Sequence, residues 1–195
     1  DSVASRGLGD VYKRQSLMQS DQNQEQFRYC SVCRVSIVDK NFVVEKAYKK
    51  DYLENDWVMV FELAVCDACR LQMNRDISSE SKKNIQQFLH DKAQIIQENK
   101  TQVIEKLKQL QEKNQCFLTG KSIDDCQEFQ VVLLHSPTMN LPSTPLFISD
   151  DAIEMYQALL SDHTKGFFDD FMDNLNGLPP EIEELFRSKK SLVLL

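Results

Sequence analysis

Four cysteines stand in two pairs with the same spacing, Cys30-Ser-Val-Cys33 and Cys66-Asp-Ala-Cys69. Two residues between cysteines form a tight turn, a knuckle, that places both sulfur atoms about 2.3 Å from one metal ion. A second knuckle completes a tetrahedron and leaves no position for water or substrate, so the site is expected to be structural rather than catalytic. The pattern predicts one structural zinc ion held by Cys30, Cys33, Cys66 and Cys69.

Other chemistries use cysteine pairs as well. Iron takes the same four thiolates, so the spacing leaves zinc and iron open as the metal. A thioredoxin-like redox role needs one CxxC pair beside a βαβ pattern, whereas these pairs are doubled and surrounded by strand-like sequence. The matched spacing also disfavours disulfides and ordinary buried thiols. Zinc is the interpretation we favour.

The sequence between the two pairs is rich in strand signals. Residues 35–37 alternate in polarity, residues 39–41 are typical of a turn, and residues 42–48 are β-prone, which together predict a hairpin. Apolar residues then recur at every second position over 57–65, which predicts a strand that leads directly into Cys66.

The order of knuckle, antiparallel strands and knuckle is that of a zinc ribbon, and it also fits a treble clef if a helix starts at Asp67. Over residues 28–75 the chain therefore resembles the zinc-ribbon and treble-clef structural class. The resemblance implies antiparallel strands folded around one structural zinc ion. It is a resemblance to a structural class and points to no named family.

A long amphipathic helix is predicted over residues 78–113. The apolar residues recur there at steps of three and four, without an interrupting Pro or Gly: Ile85, Phe88, Leu89, Ile95, Ile96, Val103, Ile104, Leu107 and Leu110. We expect this apolar stripe to pack on the flanking modules. The alternative is a coiled-coil homodimer through the same helix.

The C-terminal part is predicted to be an acidic α+β module. Its predicted elements are a strand over 129–135, a short strand over 146–148, a helix over 150–160 capped by Ser149, and a helix over about 164–175. A cysteine-containing turn, a strand, a short strand and a helix loosely repeat the order of the first half, although the CxxC pairs are not repeated.

The predicted fold class is α+β, with four segments along the chain. Residues 1–15 (DSVASRGLGDVYKRQ) resemble translated adapter sequence, and the polar residues that follow them are Gln-rich. The segments are a non-native or disordered lead-in over 1–27, a zinc-binding module over 28–77, the long helix over 78–113 and the acidic module over 114–195.

Two weaker constellations lie in the second half. Cys116, Cys126 and His135 are candidates for a second metal site or a Cys–His nucleophile, but no knuckle or local signature supports either. The Thr-Gly-Lys-Ser sequence at 119–122 resembles the end of a phosphate-binding loop, yet Gln115 stands where that pattern needs Gly. A turn is therefore predicted at 119–122.

Charge and composition limit the function classes. Residues 116–195 carry 5 Lys/Arg against 13 Asp/Glu, the wrong sign for binding a phosphate backbone. Apolar runs are shorter than a membrane span, and no secretory segment is recognisable, so we expect a cytoplasmic protein without membrane association.

The predicted function is a non-enzymatic, zinc-stabilised interaction or regulatory module with a protein partner, because no catalytic motif is found. One alternative is an enzyme with a pocket near Cys116, Cys126 and His135. Another is a nucleic-acid-binding zinc ribbon, which would need a basic patch in the zinc module. The candidate residues for that patch are Arg28, Arg34, Lys46, Lys49, Lys50, Arg70 and Arg75.

Overall fold

The computed structural model describes residues 17–51, 53, 56–92, 105, 109–110, 113–137 and 145–174. In this part the chain is α+β, with one four-stranded sheet and four α-helices. The elements in chain order are β1 Phe42–Asp51, β2 Asp56–Cys66, α1 Asp67–Asp76, α2 Ser79–Lys92, β3 Glu128–His135, β4 Leu146–Ser149, α3 Asp150–Ala158 and α4 Asp162–Asn174. A single 3-10 turn over Ile123–Asp125 precedes β3.

The sheet is antiparallel throughout and has the order β2-β1-β3-β4. The 28–77 and 114–195 segments each contribute two strands, which meet at the central β1–β3 pair. Glu45 lies opposite Val132 near the middle of that pair. The seven residues 42–48 of β1 are all buried, because helices cover one face of the sheet and turns cover the other. A strand buried on both faces reads as a nearly continuous apolar run.

Each face of the sheet has its own hydrophobic cluster. The helix-covered face joins strand residues such as Val43, Leu63 and Val132 to Ile77, the C-cap residue of α1, and to the helix residues Met73, Ala152, Ile153, Tyr156 and Phe168. The opposite face joins Phe42, Val44, Val131 and Leu133 to residues outside the four strands and the four α-helices, namely Leu17, Cys30, Ile37, Ile123 and Cys126. The cysteine-bearing segments are therefore part of the core packing.

The predicted strands over 42–48, 57–65, 129–135 and 146–148 are confirmed, as is the helix that follows Ser149. The Ser149 hydroxyl accepts a hydrogen bond from the Ala152 N–H, as expected of an N-cap. The predicted hairpin between 35–37 and 42–48 is wrong. Ser36 pairs with Tyr29, while β1 pairs with β2 and β3, because the knuckle closes locally on itself.

The predicted long helix is described as α2 over Ser79–Lys92. Residues 93–104, which carry much of the apolar stripe, lie outside the described residues, and so do residues 175–195. The homodimer through this helix and the four-segment division therefore stay predictions.

Helices α2 and α4 begin side by side and cap each other. Ser78 and Ser161 stand just before the two helices, and each hydroxyl accepts the N–H of the residue three positions on, at 3.1 Å for Ser81 and 3.4 Å for Thr164. The caps then cross: Ser78 N–H donates to Thr164 Oγ1 at 3.0 Å, and Ser161 N–H donates to Ser81 Oγ at 2.9 Å. These hydrogen bonds satisfy backbone N–H groups at the helix N-termini, which have no partner within the helix itself.

A buried ion network holds residues 19–21 against the sheet. The ammonium group of Lys46, fully buried, donates to Gln19 O and to Asp21 Oδ1, both at 2.6 Å. Glu62 Oε2 lies 3.6 Å from the same nitrogen and accepts the Asp21 N–H at 2.7 Å. Tyr48 donates its hydroxyl to Asp21 Oδ2 at 2.7 Å.

Residues 17–27 differ from the disordered lead-in that their composition predicts, whereas residues 1–16 of that predicted segment lie outside the described residues. Leu17 is buried in the core, and an antiparallel bridge joins Gln19 to Gln26. The physical reason is that a buried lysine needs hydrogen-bond acceptors, and this polar segment supplies them.

Candidate metal centre

The first knuckle is the tip of a narrow hairpin over residues 28–37. Cys30 N–H donates to Val35 O at 2.9 Å, and Arg34 N–H donates to Cys30 O at 3.0 Å. Arg34 has a φ of 59°, a left-handed conformation that costs a residue with a side chain about 1–2 kcal/mol. This turn brings Cys30 and Cys33 to the same side of the hairpin end.

The first knuckle is attached to the end of β2. Ser31 N–H donates to Ala64 O at 2.7 Å, and Ala64 N–H donates to Ser31 Oγ at 3.0 Å. Cys66, two residues further on, ends β2 and donates its N–H to Cys30 Sγ at 3.4 Å. These hydrogen bonds between the first knuckle and the end of β2 place Cys66 and Cys69 beside Cys30 and Cys33.

The second pair lies where β2 turns into a helix. Cys66 has an extended backbone and is the N-cap residue of α1, and Cys69 is in the first turn of that helix. A helix N-terminus carries partial positive charge and free N–H donors, which favour thiolates. The helix that the treble-clef order requires at Asp67 is therefore present.

The four sulfur atoms of Cys30, Cys33, Cys66 and Cys69 all lie within 4.8 Å of one another. Sulfurs at 2.3 Å from a central ion in a tetrahedron stand about 3.8 Å apart. The Cys33 and Cys66 sulfurs are 3.8 Å apart. The four cysteines are thus close enough to bind one metal ion, and an all-thiolate set suits zinc.

Local hydrogen bonds and burial give the thiols different proton affinities. Burial alone would raise the pKa of Cys30, but the backbone N–H groups of Cys66, Cys33 and Val32 stabilise its thiolate and lower the pKa to about 7. Burial raises the pKa of Cys66 and of Cys69. Cys30 is therefore better prepared than Cys66 and Cys69 to lose its proton when a metal binds.

The three other candidate ligands are not brought together into a metal site. His135 ends β3 and packs against Phe42 with the ring planes tilted by 35° and the centroids 4.6 Å apart, whereas Cys126 precedes the other end of that strand. Cys116 lies against Thr119 and Ser149. Within the described ranges, the cluster of Cys30, Cys33, Cys66 and Cys69 is the sole group of three or more Cys, His, Asp or Glu side chains close enough to share an ion.

The Cys116 and Cys126 thiols are expected to react slowly with iodoacetamide in the folded protein. Both are fully buried, and burial raises the pKa of Cys126 to about 12. A reagent reaches such a thiol only when the structure opens, so we expect alkylation at least about 100-fold slower than in urea. Peptide mass spectrometry of a time course measures both rates. Rapid labelling of either thiol in the folded chain would instead support the enzyme alternative.

The exposed apolar side chains near the site were missed by the sequence analysis. Tyr29, Val32, Val35 and Val38 are 62, 36, 50 and 53 % exposed, and they are four of the nine large apolar residues exposed in the described structure. We call these four residues the knuckle surface. The signal in the sequence is an apolar residue at every third position, 29, 32, 35 and 38. Val35 also belongs to the alternating segment 35–37, whose pattern predicts a strand and not an exposed surface.

In the described part of the chain, none of the helices combines the length and the apolar character needed to cross a membrane. Compared with protein-family models, with curated proteins and with solved structures, the chain shows no match.

Proposed function

We propose that this protein is a non-enzymatic interaction module of the treble-clef type, in which one structural zinc ion holds the first knuckle to the start of α1. The observation that carries the proposal is the cluster of four cysteine sulfurs within 4.8 Å. Four thiolates saturate a tetrahedral zinc and leave no site for a substrate, which supports a structural and not a catalytic role. A reducing compartment such as the cytoplasm keeps these thiols available.

The partner we propose is an acidic protein segment with apolar side chains. The knuckle surface offers the apolar contact area, since exposed apolar patches mark interaction sites, and Tyr29 belongs to a residue type enriched among binding hot spots. Arg28 and Arg34 are exposed on the same hairpin and supply positive charge beside it. A zinc ion bound by the four cysteines would hold this surface rigid, and a rigid surface loses less conformational entropy when a partner binds.

Selection from a random-peptide library displayed on phage tests the interaction. We expect the full zinc-loaded chain to select peptides rich in Asp or Glu that also contain aromatic or aliphatic residues. A Val32→Ser/Val35→Ser variant should bind them at least about tenfold more weakly, or about 1.4 kcal/mol, because it loses apolar contact area. Both side chains are exposed, so the variant should keep the wild-type metal content.

A charge control separates the two parts of this surface. An Arg28→Glu variant should bind the selected peptides more weakly at low salt and converge with the wild type as salt rises. Selected peptides that bind the Val32→Ser/Val35→Ser variant as tightly as the wild type would contradict the proposed surface. Salt-sensitive oligonucleotide binding without any selected peptide would favour the nucleic-acid alternative.

A further inference from the structure

A second turn, over residues 114–123, repeats the backbone geometry of the first knuckle. Cys116 N–H donates to Lys121 O at 2.8 Å, and Gly120 N–H donates to Cys116 O at 2.9 Å. Gly120 has a φ of 74°, the left-handed conformation found at the same position of the first knuckle. Gln115, one residue before Cys116, forms an antiparallel bridge with Ser122 that closes the turn. Tyr29 and Ser36 form the equivalent bridge in the first knuckle.

The second turn is also attached to its strand in the same way. Phe117 N–H donates to Phe147 O in β4 at 3.0 Å, the counterpart of the bond that fixes the first knuckle to β2. Phe129, near the start of β3, pairs with Ser149 at the end of β4, just as the start of β1 pairs with Cys66 at the end of β2. In both halves a helix begins at the next residue.

The remaining elements follow the same order. Helix α1 is followed by α2 and α3 by α4, and the crossed caps of Ser78, Ser81, Ser161 and Thr164 join the two second helices at equivalent positions. The antiparallel β1–β3 pair stands at the centre of the sheet, with one knuckle, hairpin and helix pair on each side. The described structure thus repeats one order of elements on either side of the β1–β3 pair, and Glu45 opposite Val132 marks the midpoint between the two arrangements.

The two copies differ at the positions of the metal ligands. By position in the knuckle and in the following helix, the counterparts of Cys30, Cys33, Cys66 and Cys69 are Cys116, Thr119, Ser149 and Ala152. Three of the four thiols are therefore replaced, two by hydroxyls and one by a methyl group.

The replaced positions remain close together. Thr119 Oγ1 and Ser149 Oγ are 3.1 Å apart, where the equivalent Cys33 and Cys66 sulfurs are 3.8 Å apart. Burial would raise the pKa of Cys116, but hydrogen bonds from the side chains and backbones of Ser149 and Thr119 lower it. Ala152 is fully buried and packs in the helix-covered core. Hydrogen bonds and apolar packing connect these residues in the place of metal bonds.

We propose that residues 114–174 contain a second copy of the cysteine module, in which a thiol–hydroxyl cluster of Cys116, Thr119 and Ser149 stands in the place of the metal ion. The native chain then binds metal through its first copy alone. The second copy keeps the geometry of a four-ligand site for a divalent, thiolate-preferring cation, and three thiols restore it. The inference rests on the metal site of the proposed function for its first copy.

Restoring the thiols in the full chain tests this inference. We expect the Thr119→Cys/Ser149→Cys/Ala152→Cys variant to bind one more zinc ion per chain than the wild type, counted by native mass spectrometry. Loaded with Co²⁺, it should show about twice the thiolate-to-cobalt absorption of the wild type, since both sites have four sulfur ligands. Adding Cys116→Ala to the variant should return the metal count to the wild-type value.

The readout is the increase in zinc ions per chain relative to the wild type, and not the absolute number of zinc ions. A wild type without metal would contradict the proposed function, whereas a folded triple variant with the wild-type count would overturn this inference. If the triple variant does not fold, the Thr119→Cys/Ser149→Cys variant still decides. Oxidation should link positions 119 and 149 by a disulfide in peptide mass spectrometry, and two free thiols after oxidation would overturn the inferred geometry.

Discussion

The Cys66→Ser/Cys69→Ser variant is expected to lose the bound zinc and with it the fold of the first knuckle. The wild type should carry one zinc ion per chain, and the variant none. Structural zinc sites in small peptides contribute on the order of 10 kcal/mol of apparent binding energy at neutral pH. That is as large as the net stability of a typical domain, so we expect the variant to unfold wholly or in part. Native mass spectrometry with elemental analysis, together with far-UV circular dichroism, measures both effects.

The matched control replaces a cysteine of the second copy. Cys116→Ser keeps a hydrogen-bonding group among the hydroxyls of Thr119 and Ser149, and should leave the zinc count at one per chain. Wild-type protein that is folded and free of metal would contradict the prediction and make redox-active or plain core cysteines the better account. A double variant that retains its zinc would show that other ligands hold the ion.

The Lys46→Met variant is expected to lower the free energy of unfolding by about 3 kcal/mol, because breaking a buried ion pair leaves the partner charge uncompensated. Lys46 is fully buried, and its ammonium group bonds Gln19 O and Asp21 Oδ1 at 2.6 Å. The Glu62 carboxylate, at 3.6 Å, is 5 % exposed and would lose this positive charge. Urea unfolding of the zinc-loaded protein measures the change.

Lys49→Met is the control for this substitution, since Lys49 lies on the same strand and is exposed. We expect it to change the stability by less than about 0.5 kcal/mol. The loss in Lys46→Met should be accompanied by faster hydrogen exchange in residues 19–26, because their anchor on the sheet is gone. Equal stabilities of the two variants would show that the buried network contributes nothing net.

Local sequence patterns predicted the secondary structure of elements whose residue types follow from their own periodicity, β-propensity or capping. The alternation over 57–65 and the β-prone segment over 42–48 both lie on strands, and the Ser149 side chain caps a helix as predicted. The spacing of the cysteine pairs predicted a cluster that the structure brings within metal-binding distance. These signals are local, because each is carried by residues a few positions apart.

Long-range pairing was beyond the reach of those patterns. The hairpin predicted between 35–37 and β1 is wrong because a strand's partner depends on distant chain segments, and here the knuckle takes residues 35–37 for itself. Residues 17–26 have the composition of a flexible segment, yet Lys46 holds them in place. A lysine in a β-prone run gives no sign, in sequence, of where its charge will be compensated.

The sequence by itself determined the ligand chemistry: four thiols in two knuckles, one before and one after a strand-prone stretch. The short spacing within each knuckle dictates how close its two sulfurs can come. Only the tertiary structure decided that both halves share one sheet, that Lys46 is buried, and that Thr119 and Ser149 occupy ligand positions. The physical reason is that side-chain identity at the second copy has diverged while its backbone hydrogen bonds have not. The sequence suggests the repeat only loosely, through the order of its elements, and the matching backbone hydrogen bonds carry the inference.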